Sequence, residues 1–364
     1  MATEKAEYRV VDPQAKGPEA VTRSFENQVA YCRDNGAQIT ALVCQTLLDL
    51  LPGERGGAVM CRIREWAGPA LADALPLRIP GGLHTLYLAG DAPELAPIYQ
   101  GRRVSNAANL VAHVLEAHEA RLLPWLDGPP QTNEAGRSAN FIAAFLWLAD
   151  QGLPPRFVLN EIGSSAGINL MLDRYSYDLR GVTFGPEKSA LAFAPEWRGD
   201  APPQADFEIV SARGCDVHPV DLTDPQQALR LKGYIWPEAT ERFARMEGAI
   251  VAAHEQKPEI AKLDAASFVD QVLAAPPLSG ETTVIMHSVV WQYVPEDQRL
   301  AIAGAIEAAG AGRTSEAPLA WVSVEANRDT HRHELRVRYW PGGEKEHCLA
   351  VAHPHGAWIE WQAA

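Results

Sequence analysis

The spacing of apolar residues divides the chain into two parts. Up to about residue 150, apolar positions recur every three or four residues, as in amphipathic helices, over residues 23–51, 58–74, 106–126 and 137–150. Beyond that point, short apolar runs alternate with helical stretches, and this order predicts a parallel sheet with crossover helices. We therefore predict a helical domain over residues 1–150 and a Rossmann-like domain over residues 151–364.

The segment Arg156–Tyr175 is the centre of the predicted sheet domain. The apolar run Phe157–Leu159 predicts a strand, and a turn with two glycines separates it from an apolar helical stretch that begins near Ile168. Gly163 and Gly167 allow backbone angles that other residues avoid, so a ligand can approach the main chain closely. We expect the N–H groups at the start of the helix to face that ligand.

Two motif interpretations compete for this turn. As Glu161-x-Gly163-x-Ser165-x-Gly167, it resembles the first motif of S-adenosylmethionine-dependent methyltransferases, with serine in place of the middle glycine. As Gly163-x-Ser165-x-Gly167, it matches the nucleophile elbow of α/β hydrolases. A tight turn without a ligand is a third interpretation. An elbow serine follows several parallel strands, whereas the upstream region here is helical, so the context favours the methyltransferase.

The strands after the turn end in acids that a nucleoside could use. The predicted strand 207–212 leads to Asp216, and an acid at the end of the second strand accepts hydrogen bonds from ribose hydroxyls. Asp221 is the alternative acid. The usual gap to this acid is about 20 residues, so the longer gap requires 176–206 to be an insertion or hairpin. Asp264 follows the next strand and is either an adenine contact or a helix cap.

A β-branched run from Thr282 to Val294 predicts the fourth strand. His287 would open onto the ligand edge as a general base, or it is a packed, hydrogen-bonded histidine. Trp291 and Tyr293 alternate with His287 if the strand persists, so they would wall the acceptor pocket or belong to the core. A further strand over 319–325, and antiparallel strands over 334–340, 346–352 and 357–361, complete the predicted sheet.

Other polar clusters have a functional and a structural interpretation. The loop before helix 137–150 contains Gln131, Asn133, Glu134 and Arg137, which either contact a substrate or are solvated and cap the helix. Two His-x-His pairs would each place two imidazoles on one face of a strand, but the sequence places no acid or thiol beside them, so we predict no metal site. These pairs are His331 with His333 and His353 with His355.

Composition narrows the range of partners. The chain of 364 residues has 47% hydrophobic and 21% charged residues, which is typical of a soluble globular protein. A net charge of -14 repels phosphate backbones and anionic lipid, so we expect no nucleic-acid or membrane partner. The N-terminus lacks the apolar region of a signal peptide, and we expect a cytoplasmic protein. The five scattered cysteines are expected to be reduced.

Several motifs distributed along the chain carry a resemblance to a known family. In chain order they are Pro130–Arg137, Glu161–Asn169, Asp173–Tyr177, Arg213–Asp216, His287–Tyr293, Trp340–Gly343 and His353–Gly356. With these motifs the whole chain resembles an uncharacterised bacterial family, domain of unknown function 2332. The resemblance implies a methyltransferase-like domain, and it brings no settled activity with it.

Together these features predict an α/β protein of the S-adenosylmethionine methyltransferase-like, doubly wound type, with antiparallel C-terminal strands and an N-terminal helical lid. The acceptor would be a small molecule. The predicted roles are cofactor binding by Glu161, Gly163, Ser164, Ser165, Gly167, Asn169, Asp216 and Asp264, catalysis by His287 and Tyr293, and substrate contacts from Gln131, Asn133, Glu134, Arg137 and Trp291. The alternatives are a serine hydrolase using Ser165 with a late histidine such as His353 or His355 and an intervening acid, and a non-catalytic nucleoside-binding module.

Overall fold

The structure of the protein is a computed structural model, which describes residues 12–363. The described chain forms two compact units. One comprises the described residues up to Thr132 together with Pro225–Phe243, and the other comprises Asn133–Asp224 and the residues from Ala244 onward. Helix Ser138–Asp150, which we expected in the helical domain, belongs to the second unit.

Most helices and strands follow the predicted order, but the helix predicted over residues 58–74 ends at Arg64. The α-helices are α1 (Pro18–Asp34), α2 (Gln38–Leu50), α3 (Gly57–Arg64), α4 (Leu75–Ala89), α5 (Ala96–Tyr99), α6 (Ala107–Ala117), α7 (Glu119–Leu122), α8 (Ser138–Asp150), α9 (Pro225–Gly233), α10 (Thr240–Glu255), α11 (Ala265–Ala274) and α12 (Glu296–Ala311). The strands are β1 (Arg156–Ile162), β2 (Ser176–Leu179), β3 (Val182–Phe184), β4 (Ala192–Phe193), β5 (Glu196–Arg198), β6 (Glu208–Asp216), β7 (Glu259–Lys262), β8 (Thr282–Ser288), β9 (Leu319–Asn327), β10 (Arg332–Trp340), β11 (Gly343–Ala352) and β12 (Trp358–Trp361). Short 3-10 helices include Pro93–Leu95, Leu123–Leu126, Ala135–Arg137, Ile168–Arg174 and Trp291–Tyr293.

The first unit is a helical assembly around its own apolar core. Helices α1, α2 and α4 bury Phe25, Leu47 and Ile79 in this core, as the 3.6-residue spacing predicts. Tyr234, from the segment 225–243, completes it. A Cβ atom at Gly81 of α4 would lie 2.7 Å from the Tyr234 ring, so this close approach requires glycine. Among the described residues, no helix is both long and apolar enough to cross a bilayer.

The second unit contains a nine-stranded sheet with the order β5-β12-β11-β10-β9-β8-β1-β6-β7. The strands β7, β6, β1, β8 and β9 are parallel neighbours, and β10, β11 and β12 continue the sheet antiparallel to one another. Strand β5 adds a parallel pair at the far edge. This mixed α/β arrangement, with a mostly parallel sheet and antiparallel C-terminal strands, confirms the coarse fold prediction.

Helices cover both faces of the sheet. Phe157 of β1 contacts Phe145 of α8, with ring centroids 5.3 Å apart. Ile162 of the same strand packs in a cluster with Phe268 of α11 and Ile302 of α12. Because successive side chains of a strand point to opposite faces, Phe157 and Ile162 lie on opposite sides of β1. The sheet is therefore sandwiched between helices, as in a doubly wound fold.

The predicted insertion is present, but the helix expected after the glycine turn is not an α-helix. Residues 176–193 form a small three-stranded sheet of β3, β2 and β4. The segment Ile168–Arg174 is a 3-10 helix. The Tyr175 hydroxyl donates to Ile168 O over 3.1 Å, and this carbonyl is one that an α-helix would pair with the Leu172 amide. The Ile168 N–H, which as a first-turn amide has no partner within a helix, donates to the Asn133 side chain.

Candidate functional site

The turn between β1 and the 3-10 helix that begins at Ile168 is tightly packed. Gly163 has φ 67° and Gly167 has φ 71°, both in the region that favours glycine. A Cβ atom at Gly163 would lie 2.2 Å from Cγ2 of Val290, and one at Gly167 would lie 2.6 Å from Cβ of Pro258. The two glycines are therefore required by the packing of the protein itself.

The amides of this turn are used within the protein. The donations are Ser164 N to Cys215 O (2.9 Å), Ser165 N to Asp216 Oδ2 (2.9 Å), Gly167 N to Ser164 O (2.7 Å) and Ile168 N to Asn133 Oδ1 (3.1 Å). The expectation that these N–H groups face a ligand is therefore wrong for these four residues. Strand β6 and the loop that carries Asn133 supply three of the four acceptors, and the turn itself supplies the fourth, Ser164 O.

Asp216 lies where the sequence predicted, at the end of β6 and beside the glycine turn. One carboxylate oxygen accepts from Ser165 N, and the other accepts from His218 N over 2.8 Å. Each oxygen has a second lone pair for a further donor, so the ribose role stays a prediction. Asp221 is paired instead with Lys257 over 2.6 Å, and this hydrogen bond lowers the pKa of Asp221 to about 2.

Glu161 and Asn169 form a buried polar pair at the carboxyl end of β1. The Asn169 side-chain amide donates to Glu161 Oε1 over 2.8 Å, and Asn169 and Glu161 are 0% and 1% exposed. Within the described structure, Glu161 Oε2, Asn169 Oδ1 and the nearby Ser165 Oγ have no hydrogen-bond partner. Burial raises the pKa of Glu161 to about 7, although the Asn169 amide and the nearby Ser164 hydroxyl oppose part of the rise. When Glu161 is ionised, the site thus holds two unsatisfied acceptors on side chains shielded from solvent.

His287 is buried and hydrogen-bonded, which is the structural one of the two roles predicted for it. The Trp321 indole Nε1–H donates to His287 Nε2 over 3.0 Å, and His287 Nδ1 lies 2.8 Å from Glu325 Oε1. Because an indole can only donate, Nε2 must be the unprotonated nitrogen, and Nδ1–H donates to Glu325. Both ring nitrogens are therefore occupied, and in this arrangement His287 has no lone pair for an acceptor's proton.

The fourth strand does not persist to Tyr293. Strand β8 ends at Ser288, Val289 has φ 52°, and Trp291–Tyr293 is a 3-10 turn. Trp291 is stacked on His287, with centroids 4.8 Å apart, and Tyr293 is 57% exposed. The two aromatics therefore do not alternate with His287 along a strand. Positive φ at β-branched Val289 is a strained conformation, and such strain is concentrated at functional sites.

Asp264 is a helix cap, which is the structural one of the two roles predicted for it. Its Oδ1 accepts from Ser267 N over 2.9 Å and its Oδ2 accepts from Ser267 Oγ over 2.7 Å, so it is the N-cap of α11. The hydrogen bond from the Ser267 backbone lowers the pKa of Asp264. An adenine contact stays a prediction, and it would have to share these oxygens.

The polar loop before α8 connects several motifs. Asn133 holds the turn through Ile168 N, and Arg137 Nε donates to Pro354 O over 2.8 Å. Buried Glu134 accepts from Arg245 Nε over 2.7 Å and from the Gly136 amide over 3.1 Å. These three predicted substrate residues therefore have structural contacts in the sheet unit. Gln131, the fourth, belongs to the helical unit.

The late histidine motif packs against the same loop. A Cβ atom at Gly356 would lie 2.2 Å from Gly136 O, so the two backbones are in direct contact. His353 Nδ1 accepts from His355 N over 3.1 Å, and their rings are 5.7 Å apart. Among residues 12–363, no group of three or more His, Cys, Asp or Glu side chains has the arrangement of a metal site.

Glu325 and Trp321 are the residues of this region that sequence reasoning missed. Glu325 lies near the end of β9 and accepts from His287, Val290 N (3.0 Å) and Trp291 N (3.2 Å). The sequence did offer a signal for Glu325, because it is an acid at the carboxyl end of a predicted parallel strand. The same signal identified Asp216.

The fold and this geometry define a mixed α/β protein with a large, mostly parallel central sheet and a polar, partly unsatisfied site at the carboxyl ends of its central strands. The chain belongs to the family described as "Uncharacterized protein conserved in bacteria (DUF2332)", whose model matches residues 22–361. No curated protein and no solved structure matches the chain.

Proposed function

We propose that the protein is an S-adenosylmethionine-dependent methyltransferase that acts on a small molecule. The first support is the strand order. The parallel strands are arranged β7-β6-β1-β8-β9, which corresponds to the order 3-2-1-4-5 of a doubly wound sheet. In such sheets a ligand binds outside the carboxyl ends of the strands where the order reverses, which is here between β1 and β8.

The observation that carries the proposal is the unsatisfied pair of acceptors at that point, Glu161 Oε2 and Asn169 Oδ1. Burying polar atoms without partners is costly, so the pair, with Glu161 ionised, favours a ligand that brings N–H donors. The ammonium group of a methionine moiety has three such donors and a charge that matches a carboxylate. Glu161 and Asn169 would hold this group.

The remaining roles differ from those that the sequence alone predicts. The turn amides are committed to the protein, so Gly163 and Gly167 shape the turn instead of binding the methionine carboxylate. Asp216 would bind the ribose through its remaining lone pairs. When bound, the cofactor supplies a methyl group on a sulfonium, and the protein's part is to hold donor and acceptor in line. His287, with both nitrogens occupied, would shape the site and not remove a proton.

Isothermal calorimetry with S-adenosylmethionine, S-adenosylhomocysteine and methylthioadenosine tests the proposal. We expect saturable binding of the first two. Methylthioadenosine lacks the whole amino-acid end of the cofactor, including the ammonium group, and loss of one charge-assisted hydrogen bond of about 2 kcal/mol should by itself weaken its binding roughly 30-fold. Replacing exposed Asp200 by asparagine is the matched surface control and should leave all three affinities unchanged. Absence of saturable heat with either full cofactor would eliminate the proposal, and binding without any turnover would favour the non-catalytic module.

Ser165 supports a second candidate, a serine hydrolase. Its φ of 52° and its unpartnered Oγ resemble the strained elbow that presents a nucleophile. However, Oγ is buried and no base is hydrogen-bonded to it. We therefore expect no labelling by a fluorophosphonate probe in wild type. Labelling that disappears in Ser165→Ala and persists in Ser164→Ala would establish the hydrolase instead.

A further inference from the structure

We infer that Glu325 is a positioning residue, which sets the orientation of His287 and Trp291 at the carboxyl ends of β8 and β9. Its Oε1 accepts three hydrogen bonds, from His287 Nδ1 (2.8 Å), Val290 N (3.0 Å) and Trp291 N (3.2 Å). One carboxylate oxygen therefore ties a side chain of β8 to the backbone of the segment that follows it.

The contacts of Glu325 have a definite chemical consequence for His287. With Glu325 accepting at Nδ1 and Trp321 donating at Nε2, the ring is held as the Nδ1–H tautomer and cannot rotate without losing two hydrogen bonds. The ring is 2% exposed, so water does not compete for either nitrogen. Its plane is thus fixed, and Trp291 stacks on it at an interplanar angle of 19°.

The segment after β8 needs such an anchor. Val289 adopts φ 52°, which is costly for a β-branched residue, and this conformation persists only when its surroundings hold it. The Val289 amide donates to Val324 O over 3.0 Å, and the next two amides donate to Glu325. Strand β9 therefore holds this segment through three consecutive amides, and two of them depend on one side chain.

This inference rests on the proposed function in one respect only. The proposed function places the stacked rings of His287 and Trp291 beside the methyl acceptor. In that case Glu325 determines which acceptors fit, without touching them. The contacts themselves are testable without any ligand, so failure of cofactor binding and failure of the positioning role are separate results.

The test compares Glu325→Ala with Glu325→Gln in the full chain. Glutamine keeps an oxygen acceptor in the same place, whereas alanine removes it. In Glu325→Ala we expect the Val290 and Trp291 amides to exchange with deuterium roughly 10-fold faster, and ¹⁵N spectra should show that His287 is no longer held as one tautomer. Glu325→Gln should keep both wild-type signatures. Glu307→Ala, at an exposed ion pair with Arg338, is the control for loss of a glutamate and should also match wild type.

Two results would overturn the inference. One is a Glu325→Ala protein with wild-type exchange at both amides and an unchanged His287 spectrum. The other is a glutamine variant that behaves like the alanine variant. If Glu325→Ala does not fold, Trp321→Phe provides the second measurement. It removes the donor to Nε2, and the Glu325 acceptor should still protect the two amides, whereas loss of that protection would count against the positioning role.

Discussion

Replacing Glu161 by glutamine should raise stability at alkaline pH and weaken cofactor binding at the same time. The pKa of Glu161 is raised by burial from 4.5 to about 7. Below pH 4.5 the carboxyl is protonated in both the folded and the unfolded chain, so it has no effect on the pH dependence. Between 4.5 and about 7 only the folded chain keeps the proton, and unfolding therefore becomes easier as pH rises.

Above pH 7 the folded protein bears the full cost of a buried charge, which amounts to about 3 kcal/mol for such a shift. Glu161→Gln lacks this proton, so the free energy of unfolding from urea titration should fall less between pH 5 and pH 8 than in wild type. Glu259→Gln, at an exposed position of β7, should keep the wild-type profile. Identical profiles for Glu161→Gln and wild type would show that Glu161 is not buried as a protonated acid.

Cofactor binding should show the opposite dependence on pH. A ligand ammonium pairs with the ionised carboxylate, so the affinity of wild type for S-adenosylmethionine should increase about 10-fold between pH 6 and pH 8. In Glu161→Gln the affinity should be lower, by roughly 30-fold at pH 8 for one charge-assisted contact, and nearly independent of pH. Equal affinity in both proteins at pH 8 would remove Glu161 from the binding site.

The elements that can be predicted from the sequence are those that depend on local pattern. Buried parallel strands are continuous apolar runs, and for that reason β1 and β9 are recognisable. Asp216 is found because an acid at the end of a parallel strand is visible as a position in the chain. The alternation of strand and helix after residue 150 then leads to the coarse architecture.

The features that escape prediction depend on contacts between distant residues. Asn133, 35 positions upstream, accepts from the Ile168 amide, and the Tyr175 hydroxyl donates to the Ile168 carbonyl, which an α-helix would use internally. Trp321 and Glu325, both on the neighbouring strand β9, form hydrogen bonds with the two ring nitrogens of His287. No periodicity encodes these pairings, because each one depends on the register of β8 against β9 and on the loops above them.

Replacing Gly163 by alanine should markedly destabilise the sheet unit. At φ 67° an alanine costs about 1 kcal/mol relative to glycine. Its Cβ would also lie 2.2 Å from Val290 Cγ2 and 2.9 Å from Val290 Cβ, so the segment after β8 must move. Overpacking of this kind adds about 1–3 kcal/mol. We expect urea unfolding to show a total loss of roughly 3 kcal/mol.

Gly152 provides the matched control, because it has φ 85° and a methyl group added there would meet no other atom within 4 Å. Gly152→Ala should therefore lose only the conformational part, about 1 kcal/mol. Combining Gly163→Ala with Val290→Ala removes the colliding methyl groups and should recover about 1–2 kcal/mol as a coupling energy. If Gly163→Ala and Gly152→Ala cost the same, the two loops at the carboxyl ends of β1 and β8 do not pack against each other, and the candidate site loses one of its walls.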